Sequence, residues 1–144
     1  MNKVGPIVII DDDQDDLDMY DSIFKELETP NEIKKFRSSE KALAHIREMN
    51  IKPFLILSDV NMPVISGFEI RKIINDDPDL NIKCIPFIFF STDASPEAVK
   101  EAYILSVQGI FQKPNNYVVW REMVKNILAY WTDCMSPSFM ISTS

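Results

Sequence analysis

The chain has 144 residues, of which 46% are hydrophobic and 26% charged, with a formal net charge of −7. That length suits one domain with a sizeable core and is short for two. The acidic balance, with a pI near 4.7, argues against non-specific nucleic-acid binding and against docking on an anionic membrane, both of which need a basic surface. No stretch approaches the roughly 20 apolar residues of a membrane-spanning helix. The first six residues lead straight into a strand-like run with no secretory h-region, so a cytoplasmic location is expected. Cys84 and Cys134 form no metal-ligand pattern. They read as reduced thiols of an intracellular protein, each a buried or half-buried small hydrophobe.

Short apolar runs alternate with amphipathic stretches from end to end. The first run is Ile7–Ile10. Leu17, Tyr20, Phe24 and Leu27 then recur at three- and four-residue spacing, which predicts a helix. A second run covers 32–36, and a second helical set follows with Leu43, Ile46 and Met49, capped by Ser38 or Ser39. The third run is 54–58, followed by a looser helical set of Phe68, Ile70, Ile73 and Ile74. The fourth run is 85–90. After it Ser95-Pro96-Glu97 makes a good helix start, with Ser as N-cap and Pro in the first turn, ahead of Ala98, Ala102 and Leu105. The fifth run is Gly109–Gln112, and Trp120, Met123, Val124, Ile127, Leu128 and Trp131 give the clearest helical stripe. Residues 132–144 carry no period and read as a tail, disordered or loosely packed, after a domain of residues 1–131.

The first, third and fourth runs are apolar almost throughout, which suits strands covered on both faces of a parallel sheet. Five strands alternating with five helices predict a doubly wound α/β sandwich with helices on both faces. Ligands in such folds bind at the carboxyl ends of the strands. Asp11, Asp12 and Asp13 follow the first run, Asp59 the third, Ser91 and Thr92 the fourth, and Lys113 the fifth; only the second lacks an obvious chemical group. Carboxylates gathered this way raise each other's pKa, and the arrangement makes sense around a hard divalent cation. Mg2+ prefers oxygen ligands and uses one or two carboxylates with several waters. Such an ion lowers the cost of bringing a phosphate to a carboxylate. One aspartate can then act as nucleophile, with a hydroxyl and a lysine holding the phosphoryl oxygens.

With Leu57-Ser58-Asp59-Val60-Asn61-Met62-Pro63 and Gly67, the chain resembles the receiver domains of bacterial response regulators, over about residues 7–131. The resemblance implies a CheY-like, flavodoxin-like (βα)5 fold, with Asp59 as the phosphoacceptor. It maps the acidic pair onto Asp11 and Asp12, with Asp12 favoured as the direct Mg2+ ligand. The Asn61 carbonyl joins Asp59 as a further ligand. It also gives Ser91 and Lys113 as the phosphoryl-contacting pair, and a Lys113-Pro114 bond that is usually cis in this family. The donor it implies is a histidine kinase or a histidine phosphotransfer protein. Asp13 reads as a helix cap, Thr92 as a plain turn hydroxyl and His45 as an ordinary helix residue.

Two departures stand out. The aromatic residue that often stands three positions before the lysine is Ile110, and strand alternation points Phe111 to the opposite face. The acidic residue common before the glycine is Ser66, a change expected to affect the loop and not the metal site. The residues that tune water attack map onto Asn61 and Asp93. The expected function is therefore a stand-alone phosphoacceptor switch, not an enzyme beyond its own phosphorylation and dephosphorylation. Its signal would leave by contact with an unknown protein or a second copy of itself. Three rivals differ in class. A haloacid-dehalogenase-like Mg2+ phosphohydrolase would want Asp where Asn61 stands. A nucleotide or flavin module would want a glycine-rich loop, and the chain has three glycines. The third is a receiver-like module that binds partners without phosphorylation.

Overall fold

A computed structural model describes residues 1–48, 52–81 and 83–137. Five strands, β1 (Ile7–Ile10), β2 (Ile33–Phe36), β3 (Leu55–Ser58), β4 (Phe87–Ser91) and β5 (Gly109–Gln112), form one sheet. All neighbours pair in parallel, in the order β2-β1-β3-β4-β5. The helices are α1 (Gln14–Glu26), α2 (Ser39–Glu48), α3 (Gly67–Asp76), a single turn α4 (Pro78–Asn81), α5 (Pro96–Ile104) and α6 (Tyr117–Asp133). The doubly wound sandwich expected from the sequence is what forms.

The central strands are buried along their whole length because both faces are covered. Alternate side chains go to opposite layers, as the pleat requires. Ile7, Ile9, Leu55, Leu57, Ile88 and Phe90 pack with Leu17, Tyr20, Trp120 and Val124 of α1 and α6. Val8, Ile10, Ile56, Phe87 and Phe89 pack with Ile46, Ile70, Ile74 and Ala102 of α2, α3 and α5. Ile110 joins this second layer and Phe111 the first, where Phe111 stacks on Phe90 at 5.3 Å.

Local chemistry sets the helix starts. Ser95 caps α5 by accepting the Ala98 amide, with Pro96 in the first turn. Ser38 accepts the Lys41 amide at 3.4 Å ahead of α2. Ser66 makes a capping box with Glu69 at α3, so the residue that departs from the usual acidic one has a local structural role. Asp13 caps α1 through the Asp15 amide.

Three expectations need correction. A sixth helical turn, α4, interrupts the path from α3 to β4; Asp77 accepts the Asp79 amide and Pro78 opens the turn, a start signal too short to show a period. Cys84 is exposed, because it sits in a turn at φ 52° after α4. The Lys113-Pro114 bond is trans, like every peptide bond among the described residues, the isomer that an X-Pro bond intrinsically favours. Met49 and residues 138–144 of the expected tail lie outside the described residues. Before them α6 runs to Asp133, and the buried Ser136 hydroxyl donates to the Met1 carbonyl at 2.7 Å.

Candidate functional site

The chain leaves β1 toward β2 on one side and returns to β3 on the other, so strand order reverses at the β1–β3 boundary. Ladder hydrogen bonds carry the sheet into the polar residues beyond it. The Asp11 amide donates to the Phe36 carbonyl at 3.0 Å, Asp59 to Ile10 at 2.8 Å and Lys113 to Ser91 at 2.8 Å. Main-chain positions of three candidate groups are thus set by rigid strands. Gly67 closes the other side: its amide donates to the Val60 carbonyl at 2.7 Å, and a Cβ there would lie 2.2 Å from the Asp59 carbonyl oxygen.

Asp11, Asp12 and Asp59 converge. One oxygen of each lies within 4.8 Å of the others. Asp11 and Asp59 are buried, and Asp12 is half-buried. The Lys113 ammonium reaches into the group, 2.9 Å from Asp11 Oδ2 and 3.4 Å from Asp59 Oδ2. It also lies 2.7 Å from Asp16 Oδ2. Asp59 Oδ1 accepts the Val60 amide at 2.8 Å, and Asp11 Oδ1 accepts the Asp13 amide at 2.9 Å.

The electrostatics show too little positive charge. Burial pushes the Asp11 carboxyl up to about 6, against the opposing pull of the Asp13 amide and Lys113. Burial also raises the Asp59 carboxyl, with Lys113 opposing it. Burial disfavours charge on Lys113, but its hydrogen bonds to Asp16 and Asp11 outweigh that and hold the ammonium above the ordinary lysine range. Lys113 is the one cation paired with Asp11, Asp59 and Asp16 among the described residues. The oxygens of Asp11, Asp12 and Asp59 make a hard, anionic donor set of the kind a divalent cation takes.

Ser91 is buried at the end of β4, where its hydroxyl accepts the Asp93 amide at 3.0 Å. That hydroxyl has no hydrogen bond to the side chain of Asp59 or Lys113, and only the Ser91 carbonyl meets the Lys113 amide. Asn61 lies exposed two residues beyond Asp59. Thr92 and Asp93 are exposed, and His45 packs against Phe36 at 5.2 Å. Two residues near the site were missed by sequence reasoning. Asp16 had a signal: it stands four residues before Tyr20, so a carboxylate shares the helix face of the buried stripe. Arg37, just after β2, donates from Nη2 to the Asp12 carbonyl at 3.0 Å. It has no motif around it.

Residues 7–125 match the family model described as the response regulator receiver domain. The chain belongs to that family. Among relatives, this receiver is 27% identical over 140 residues to response regulator Rcp1 of Synechocystis, covering 94% of each chain. The crystal structure of the Mn2+-bound form of Rcp1 superposes with a TM-score of 0.76 at 26% identity, over 91% of this receiver and 96% of that chain. The phosphorylated cyanobacterial phytochrome response regulator RcpA gives a TM-score of 0.80 at 26% identity, over 91% and 96%. Among the described residues, no helix of the receiver is long and apolar enough to cross a membrane.

Proposed function

We propose that Asp59 is the phosphoacceptor of this receiver and that a histidine kinase or histidine phosphotransfer protein is its donor. The observation that carries the reading is the meeting of Asp11, Asp12, Asp59 and Lys113, from three strand ends, in one buried pocket. Asp11, Asp12, Asp59 and the Asn61 carbonyl would hold Mg2+, which when bound neutralises the charge of phosphate and carboxylate as they approach. The Mn2+ bound to Rcp1 and the phosphorylated state of RcpA support this chemistry by relationship.

Asp59 attacks phosphorus in line. An oxygen–phosphorus bond forms as the nitrogen–phosphorus bond to the donor histidine breaks, and the histidine nitrogen keeps the electron pair and takes up a proton. Lys113 already stands 3.4 Å from Asp59 and pairs with the new anion. Ser91 turns from the Asp93 amide toward the phosphoryl oxygens. The segment between β4 and α5 follows Ser91 and alters the surface of α5, β5 and α6. Charge added at one point thereby biases a two-state element, and a protein partner or a second copy reads it. With Ile110 on β5, the change is not read by an aromatic rotamer at that position.

Labelling with a radioactive acyl-phosphate donor tests the assignment. Wild type should label only with a divalent cation, and Asp59→Asn should not label. Undiminished Mg2+-dependent labelling of Asp59→Asn would reject Asp59 as the acceptor.

A further inference from the structure

The contact between Lys113 and Asp16 has no role in the scheme above. It is the shortest of the three that the ammonium makes: 2.7 Å, against 2.9 Å to Asp11 and 3.4 Å to Asp59. The lysine side chain is 7% exposed and the Asp16 side chain 22%, so water screens the pair weakly. Asp16 sits in the first turn of α1, held by the Asp13 cap, and is set apart from the other two partners. Asp11 and Asp59 belong to the carboxylate group whose oxygens fit a metal ion, and Asp16 does not.

We infer that Asp16 is a positioning residue that anchors the Lys113 ammonium when a divalent cation occupies the pocket. The inference rests on the receiver reading above. The reason is like-charge repulsion. A lysine whose only partners were Asp11 and Asp59 would compete with the cation for the same oxygens. Asp16 offers the ammonium a carboxylate outside the metal group, already in contact at 2.7 Å from a rigid helix. Lys113 then yields its two inner partners and stays at the pocket mouth, ready for the phosphoryl group. Removing Asp16 leaves the lysine on the metal ligands.

Calorimetric titration of the whole chain with Mg2+ tests this. Asp16→Asn, which keeps the shape, should weaken Mg2+ binding about tenfold, the size of one charge-assisted hydrogen bond. In a Lys113→Gln background the same substitution should change affinity less than about twofold, since the competitor is gone. An equal loss in both backgrounds would overturn the inference, because Asp16 would then act through its field or the fold. No loss in the wild-type background would also overturn it. A second measurement needs no lysine variant. In wild type with Mg2+ the Lys113 ammonium should give a slowly exchanging 1H–15N resonance, and Asp16→Asn should shift or broaden it; an unchanged resonance overturns the anchor. Failure of wild type to bind Mg2+ at all would instead count against the receiver reading, so the two failures are distinguishable.

Discussion

Adding one methyl group at Gly67 should damage both stability and labelling, and the size of the damage follows from the packing. Gly67 opens α3 and is buried against the segment that carries Asp59. Its φ is not positive, so space alone requires the glycine. An alanine Cβ would meet the Asp59 carbonyl oxygen at 2.2 Å, Phe89 Cε1 at 2.8 Å and the Val60 Cα at 2.9 Å. Two of these are backbone atoms, and Phe89 is held edge-on by Phe87 at 5.1 Å and Phe68 at 5.2 Å. No rotamer relieves the clash, so the backbone around Asp59 must retreat by about 1 Å to reach ordinary contact near 3.4 Å. Overpacking of this kind costs about 1–3 kcal/mol, and the backbone contacts place Gly67→Ala near the upper end. The better helix propensity of alanine returns at most about 1 kcal/mol. A net loss of about 2 kcal/mol lowers the melting temperature by roughly 4–8 °C for a chain of this size. The same displacement moves Asp59, the proposed acceptor, and a misplacement near 1 Å can cost about a hundredfold in rate. Urea unfolding and initial rates of phosphoryl labelling measure the two effects. A loss below about 0.5 kcal/mol with unchanged labelling would refute the packing argument.

Further predictions follow from the charges and the backbone. In the proposed site Asp11 would ligate the metal and must be ionised to do so, and burial pushes its carboxyl up to about 6. Mg2+ affinity should therefore rise as pH climbs through about 6 and be about tenfold weaker at pH 5 than at the plateau; calorimetry in two buffers should find proton release near pH 5.5, and a flat profile from pH 5 to 7 would contradict it. Among the described residues Lys113 is the only cation paired with Asp11, Asp16 or Asp59. Lys113→Met should cost about 3–5 kcal/mol in chelator, with part of the loss recovered in excess Mg2+; denaturant curves with an identical loss in both conditions would count against the charge argument. Val64 adopts φ 69° while 82% exposed, a conformation that strains a β-branched residue and buries little in return. Val64→Gly should raise stability by about 1 kcal/mol in the same assay, and a decrease would show that the valine contributes something other than strain.

Much of the site is legible in the chain because it depends on strand ends. A strand fully buried on both faces announces itself as a continuous apolar run, and the first polar residue after it stands at the carboxyl edge. That logic reaches Asp11, Asp12, Asp59 and Lys113, which meet. It also reaches Ser91, which is buried at the right edge but bonds to Asp93; Asn61, exposed on the loop, comes only from the family resemblance. The helix caps at Asp13, Ser66 and Ser95 are local devices, and two of them, Asp13 and Ser95, are readable from a few residues. The capping box at Ser66 has the Ser-x-x-Glu spacing with Glu69, at a position where the family pattern has an acidic residue.

The sequence by itself determined the alternation of elements, the opposite facing of Ile110 and Phe111, and the acidic and basic groups available at the sheet edge. Each depends on spacing along the chain, which periodicity reports directly. Tertiary structure alone decided that Asp16 shares Lys113 with Asp11 and Asp59, that Arg37 holds the Asp12 carbonyl, and that Gly67 meets the backbone of Asp59. Those contacts join α1 to β5, the end of β2 to the end of β1, and α3 to the end of β3. Partners that meet only when separate strands lie side by side leave no period in the sequence.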